Sequence, residues 1–413
     1  MIKVCDAIMG NGKTESAITY MNEHSDERFI FITPYLEEAA RIKRSCPGLN
    51  FVEPSDKLSK YQFKKSVHTA TLIKNGSNIA TTHQAFIGYN AEMLDDIKKC
   101  GYTLIIDENV ELLEQFDINE DDIQLALDAG YIKEESGVYS IQKTDYSGDA
   151  LKELFQMLKS RELVKITDKQ QETWFYWVLP PELILSFKDV FILTYLFSGQ
   201  SIHHFLEIYH IPYEFIGIEK SVDGSYRFGS LPGYVPEYVT HLSDMIHILD
   251  KDKLNAIGDD YYALSMHWFD RNNGNVEQLK RNISNCYKHI WGDIPLTDRL
   301  WGAYKSAFGK LRGKGYSNAF LPFNTRATNN YRDRTHLIYP VNIFMNVADK
   351  QFYHIYGIEV DEDAYALSIM VQWIWRSGIR DGQEIYIYIP SKRMRTLLIN
   401  WIKSLSKGGN ANV

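Results

Sequence analysis

In the stretch AIMGNGKTES, Ala7 to Ser16, glycines, a lysine and a hydroxyl residue stand close enough together to surround an anion. Gly10 and Gly12 let the main chain wrap round an oxyanion, so that successive N–H groups and the N-terminus of the following helix point at it. Ala7 takes the first glycine position of a phosphate-loop pattern that closes on Gly12, Lys13 and Thr14. Lys13 would reach the β and γ phosphates and Thr14 would hold Mg²⁺. Gly10, Asn11, Gly12 and Glu15 complete the candidate contacts of this loop. A glycine-rich turn without a ligand is the alternative, and the strand before the loop and the helix after it argue against that.

A second candidate is YTLIIDENVELL. Its unbroken apolar run reads as a buried parallel strand that delivers Asp107 and Glu108 to its carboxyl end, where ligands bind in such sheets. Asp107 would fix Mg²⁺ through water or through Thr14, and Glu108 could orient and deprotonate an attacking water. The third candidate, VQWIWRSGIRDG, spaces Gln372, Arg376 and Arg380 by four, which predicts one helix face carrying all three. Two permanently charged arginines suit a γ phosphate that develops charge during transfer. A solvent-facing polar stripe has the same spacing, and the helix alone does not decide between them.

The elements that must position these residues alternate. IKVCDA, RFIFITP, SNIATT, YTLIIDE and DVFILTYLF read as strands separated by helices, which implies a parallel sheet covered on both faces. A second series follows: YEFIGIE, YYALSMHWF, SNAFLPFN, HLIYPV and EIYIYIP as strands, with helices over 238–254, 276–290, 298–311, 362–379 and 392–405. The expected fold class is therefore α/β, with a first domain over 1–200 and a second over 201–413. Residues 111–188 break the alternation and read as an insertion in the first domain. Its aromatic patch, Trp174 to Trp177, could stack bases or anchor the insertion by packing.

With 45% hydrophobic and 24% charged residues among 413, the chain is an ordinary globular one. No apolar run reaches membrane length and no secretory layout opens the chain, so the cytoplasm is expected, the host's if the gene is viral. The four cysteines are scattered singly, which excludes a cysteine-based zinc site and predicts free thiols. A net charge of -8 does not advertise a nucleic-acid binder, although 303–334 is locally basic and could be a nucleic-acid track or a solvated surface.

Taken in order, the motifs resemble those of superfamily 2 helicases and translocases. AIMGNGKT is similar to motif I of that class. FITPYLEEA resembles motif Ia, with Thr33 and Pro34. IATTHQAF resembles motif Ib, with Thr81, Thr82 and His83. IIDEN matches motif II, ILTYLF stands where motif III belongs, with Thr194 as its coupling residue, and QWIWRSGIR resembles motif VI. LTYLFSGQ, NTRATNNYRDR and YIPSKRMRTLLINW look like a compact phage-encoded branch. NTRATNNY stands at motif V, making Asn324, Arg326 and Thr328 candidates for nucleic-acid contact. Asp-Glu-Asn-Val departs from the acidic signatures of the RNA helicase branches, so DNA is favoured over RNA.

The resemblance implies two RecA-like parallel-sheet domains in tandem, with ATP and Mg²⁺ in a cleft between them. Lys13, Asp107, Glu108, Gln372, Arg376 and Arg380 would be catalytic, and Thr14 and Asp107 the magnesium ligands. The implied activity is ATP hydrolysis coupled to movement along a nucleic acid in phage replication or recombination, with proteins of those processes as partners and a monomer by default. A packaging or terminase-type ATPase, and a nucleotide-dependent switch or loader with little hydrolysis, are the alternatives.

Overall fold

The computed structural model describes residues 1–168, 171–271, 273–292, 294–325 and 330–406. The chain forms two compact units. The first holds Met1–Asp6, Gly12–Leu231 and Asn346–Val360, and the second Ala7–Asn11, Pro232–Met345 and Asp361–Val413. The first unit thus runs past residue 200 and takes in a later helix, Val347–Ile355.

In the first unit, strands β1 (Ile2–Asp6), β2 (Arg28–Thr33), β3 (Ile79–Thr82) and β4 (Tyr102–Asp107) alternate with helices. Strands β5 (Leu113–Phe116), β6 (Ile132–Glu135), β7 (Val138–Ile141), β8 (Glu162–Thr167) and β9 (Thr173–Val178) follow. The chain then returns through β10 (Asp189–Thr194) and β11 (Tyr213–Phe215) to a hairpin of β12 (Gly217–Lys220) and β13 (Tyr226–Gly229). β1 to β4, β10 and β11 form a six-stranded parallel sheet in the order β11-β1-β10-β4-β2-β3. Residues 102–106 are all fully buried, as a central strand covered on both faces requires. Burying each such Leu or Ile stabilises the sheet by about 1.5–3 kcal/mol. The helix Ala91–Cys100 that feeds β4 starts on the Asn90 side chain, which accepts from Met93 N–H, and stops at Gly101 in the left-handed region.

Strands β5 to β9 build a separate antiparallel sheet, β5-β9-β8-β7-β6. It has its own core, in which Phe175 and Trp177 pack with Ile123, Leu154 and Leu163. The aromatic patch is thus strand β9, with Phe175, Tyr176 and Trp177 buried, and this favours the packing reading over base stacking.

The second unit contains a parallel sheet of β14 (Ile246–Ile248), β15 (Arg299–Trp301), β16 (His336–Ile338) and β17 (Ile385–Tyr388), ordered β14-β17-β16-β15. The overall class is α/β with two parallel sheets, as expected. Several elements of the second series differ. YYALSMHWF is a turn followed by the helix Met266–Arg271, and SNAFLPFN is a short 3₁₀ turn, Ser317–Ala319, with a single bridge from Phe320 to Trp301. The helices expected over 238–254 and 298–311 are each interrupted by a strand, β14 and β15. Arg299 explains the second case: its guanidinium donates to the carbonyls of Ile294 and Gly315, which pins an extended segment that side-chain periodicity does not reveal. Among the described residues no helix is long and apolar enough to cross a membrane, and all four cysteines are free thiols.

Candidate functional site

Strand register sets the geometry. β10 lies between β1 and β4, pairing Asp6 with Thr194 and Leu193 with Asp107. The carboxyl ends of these three strands therefore stand in a row, with the glycine loop leaving from the first and Asp107–Glu108 from the third. Gly10 and Gly12 both adopt positive φ, 80° and 89°, which is the freedom the loop needs glycine for. Gly12 N-caps the helix Lys13–Glu23.

The Thr14 hydroxyl donates to Asp107 Oδ1 at 3.3 Å. Lys13 lies in the field of Cys5, Asp6, Asp107 and Glu108; burial draws its ammonium below the usual lysine range, against the pull of those groups. The Asp107 carboxyl is pushed up to about 7, first by burial and then by the charges of Glu108 and Glu38, against Lys13 and the Thr14 hydroxyl. Asp6 is pushed up to about 6 by burial, although its Oδ2 accepts the Phe197 N–H at 3.1 Å and Lys13 lies near. Burial lifts the Cys5 thiol to about 12, so it stays protonated. Glu108 sits at φ 66°, a left-handed conformation uncommon for a non-glycine residue, and its N–H donates to Leu193 O at 3.0 Å. β10 thus anchors the turn that presents this carboxylate.

A hydroxyl and a carboxylate meeting beside a left-handed glycine loop offer the hard oxygen donors that Mg²⁺ takes, so these residues fit the ion expected of the loop. Asn11 is buried, whereas Glu15 is exposed and ion-paired with Arg41, away from a phosphate role.

Three groups at this site were not expected. Asp6 interrupts an apolar strand just before the loop, a signal present in the sequence. Glu38 comes from another helix. Tyr226, on β13, lies so close to Gly12 that a Cβ there would meet its ring carbons at 2.4–2.7 Å. Its hairpin is docked by Phe228, stacked on Phe191 at 4.9 Å, and by an Arg227–Glu23 ion pair.

Comparison with known proteins bears on the whole chain. It is 38% identical over 409 residues to the SPbeta prophage-derived uncharacterized protein YonV of Bacillus subtilis (strain 168), covering 98% of this chain and 99% of that protein. The chain belongs to the YonV family. Residues 240–402 match the model of the YonV C-terminal Rossmann-like domain. Among solved structures, S. tokodaii Xpd4 is similar at 12% identity and a TM-score of 0.48, over 97% of this chain and 94% of that one. A structure named XPD_Helicase is similar at 10% identity and 0.44, over 98% and 95%. Similarity at this level carries no functional weight, and the YonV-family site is judged on its own residues.

Of the candidate nucleic-acid contacts in this YonV-family chain, Thr33 and Thr82 are register partners at the ends of β2 and β3. Pro34 follows directly and is half-buried. The Thr33 and Thr81 side chains are fully buried, so a phosphate contact there falls to the main chain. The His83 ring places Nε2 2.9 Å from the Asp107 carbonyl, joining this segment to the acidic strand. The Thr194 hydroxyl donates to Gln200, whose amide donates on to Tyr195 O at 2.7 Å. Asn324 is exposed, while Arg326 and Thr328 lie outside the described residues.

The expected arginine helix face is corrected. The helix Glu362–Ile374 carries Gln372 but ends before Arg376, which is buried, and Arg380 lies exposed in the 3₁₀ turn Gly378–Asp381. The physical reason is Ser377–Gly378. The Ser377 hydroxyl donates to Ile374 O, its backbone is extended, and Gly378 sits where a Cβ would meet Gln383 Oε1 at 2.6 Å. In the basic run, Lys310 pairs with Asp270 and Arg332 with Asp381, as solvated surface charges do.

Proposed function

We propose that this chain is an ATP-dependent translocase or helicase of the superfamily 2 type, acting on DNA in phage replication or recombination. The observation that carries this reading is the meeting of Thr14 and Asp107 beside Lys13, at the ends of strands separated by β10. Mg²⁺ held by Thr14 and Asp107 would supply charge neutralisation at the phosphates. Lys13 and the main-chain N–H groups of Gly10 and Gly12 bind and orient the phosphate chain, and Asn11, whose own N–H donates to Ile8 O at 3.3 Å, shapes the loop between them. Glu108, presented by its constrained turn, orients the attacking water and takes its proton. Arg376 and Arg380 are the proposed arginine contacts to the γ phosphate, with Gln372 on the helix that precedes them. Thr33, Pro34, Thr82 and His83 grip the phosphodiester backbone, and the His83–Asp107 contact and Thr194 couple that grip to the nucleotide. The prophage origin in the relative's name supports the phage setting and DNA.

The test is ATP turnover with and without single-stranded DNA, duplex DNA and RNA. Lys13→Ala abolishes turnover, and Glu108→Gln leaves ATP binding intact while slowing hydrolysis by about 10²–10⁴-fold, as loss of a general base does. Unchanged turnover in either variant sinks the assignment. Turnover that no nucleic acid stimulates points to the switch or loader instead.

A further inference from the structure

The helix Ser201–Ile208 follows β10 and presents a cluster that the nucleotide chemistry does not use. At 100° per residue, Glu207 comes round between His203 and His204, so the three side chains share one patch. Each offers one donor atom, and the three donors lie within 4.8 Å of one another. His204 Nδ1 stands 3.3 Å and His203 Nδ1 3.5 Å from the same oxygen, Glu207 Oε2.

Those distances are the informative part. His204 Nδ1 makes a long hydrogen-bonding contact with that oxygen, whereas the His203 contact exceeds the about 2.7–3.2 Å of a direct N–H···O bond and the buried His203 Nδ1 has no hydrogen-bond partner among the described residues. Two ligands on a tetrahedral ion, at bonds of about 2.0–2.2 Å, stand about 3.3–3.5 Å apart, which both imidazole–carboxylate separations match, whereas the three donors together span up to 4.8 Å and close on the ion when it binds. Both imidazoles pack against aromatic rings. His203 packs against Phe197 at 4.9 Å and Tyr213 at 6.1 Å, and His204 against Tyr353 at 4.8 Å. Phe197 is itself anchored through its N–H to Asp6.

We propose that His203, His204 and Glu207 bind a divalent transition metal of the zinc class, with at least one coordination position left for water or another ligand. Two imidazoles and one carboxylate form a borderline donor set that suits Zn²⁺ and not Mg²⁺, so this site is chemically distinct from the oxygen-only pair at Thr14 and Asp107. It stands independently of the nucleotide reading.

The experiment uses tag-free, full-length protein stripped with a chelator and titrated with Zn²⁺ against a chromophoric competitor, with Co²⁺ absorption reporting geometry. One Zn²⁺ binds per chain, unaffected by Mg²⁺, and raises the melting temperature. His203→Ala and Glu207→Gln each weaken binding by at least about 100-fold, more than losing an outer-shell partner costs, and abolish the tetrahedral Co²⁺ spectrum. His241→Ala, at an exposed His–Asp pair elsewhere, changes nothing. Both test positions are partly exposed, and circular dichroism verifies that each variant is folded. Absence of binding at micromolar Zn²⁺, or unchanged affinity in either folded variant, overturns the proposal. So does equal weakening by His241→Ala, which marks surface adsorption.

Discussion

The contact between Tyr226 and Gly12 makes Gly12→Ala a test of how the glycine loop is held. The new methyl would sit 2.4 Å from one ring carbon, where carbon atoms rest at about 3.5–4.0 Å, so the ring or the first turn of the helix must shift by more than about 1 Å. Two costs add. Holding alanine in the left-handed conformation costs about 1–2 kcal/mol, and overpacking against the ring about 1–3 kcal/mol. In a Tyr226→Ala background only the first remains. A double-mutant cycle read by urea denaturation of the apo protein and by binding of a fluorescent ATP analogue should therefore give a coupling of about 1–3 kcal/mol. In binding that is about 5- to 150-fold, since 1.4 kcal/mol is tenfold. Equal effects of Gly12→Ala in both backgrounds would refute the packing of Tyr226 on the loop.

Asp6 has a folded pKa of about 6 against 3.8 for the free group, so the folded chain holds an extra proton between those values. Stability is therefore present at low pH and falls as pH rises from about 4 to 6, by up to about 3 kcal/mol. Asp6→Asn keeps an oxygen for the Phe197 N–H and removes this slope, so the variant gains on the wild type above pH 6 and not below pH 4; parallel stability profiles would assign the slope elsewhere. Thr194→Val removes the donor to a buried Gln200 oxygen at nearly constant volume, and should lower stability by about 1–3 kcal/mol in thermal or urea unfolding. A loss below 0.5 kcal/mol (on the order of a neutral surface change) would show the bond to be idle. Arg376→Ala should slow ATP hydrolysis by at least about 10³-fold with little change in ATP binding, if it serves the γ phosphate. Equal loss of both would make it a structural residue.

The parts of the site written in consecutive residues were legible. Gly10, Gly12, Lys13 and Thr14 form one turn, and Asp107 and Glu108 end one apolar run, so local rules suffice to read them. The second sheet was read less well because YYALSMHWF and SNAFLPFN are aromatic and apolar for packing, not for pairing; Tyr261 and Tyr262 contact Phe344 from a turn. The four-residue spacing of Gln372, Arg376 and Arg380 misled for a related reason. Periodicity continues through Ser377–Gly378, but the helix does not.

By itself, then, the sequence determined the α/β class, the glycine loop between a strand and a helix, and the acidic strand end, each a property of neighbouring residues, and it marked 111–188 as a break in the alternation. Only the tertiary structure decided that β10 separates β1 from β4, that Thr14 still reaches Asp107, and that Asp6, Glu38 and Tyr226 join them. Distances between strands are set by sheet order and register, which arise from packing across the whole unit and leave no mark in the spacing of residues along the chain. His203, His204 and Glu207 lie between these cases. Their spacing is plain in the sequence, but only the structure shows both imidazole nitrogens within 3.5 Å of one carboxylate oxygen.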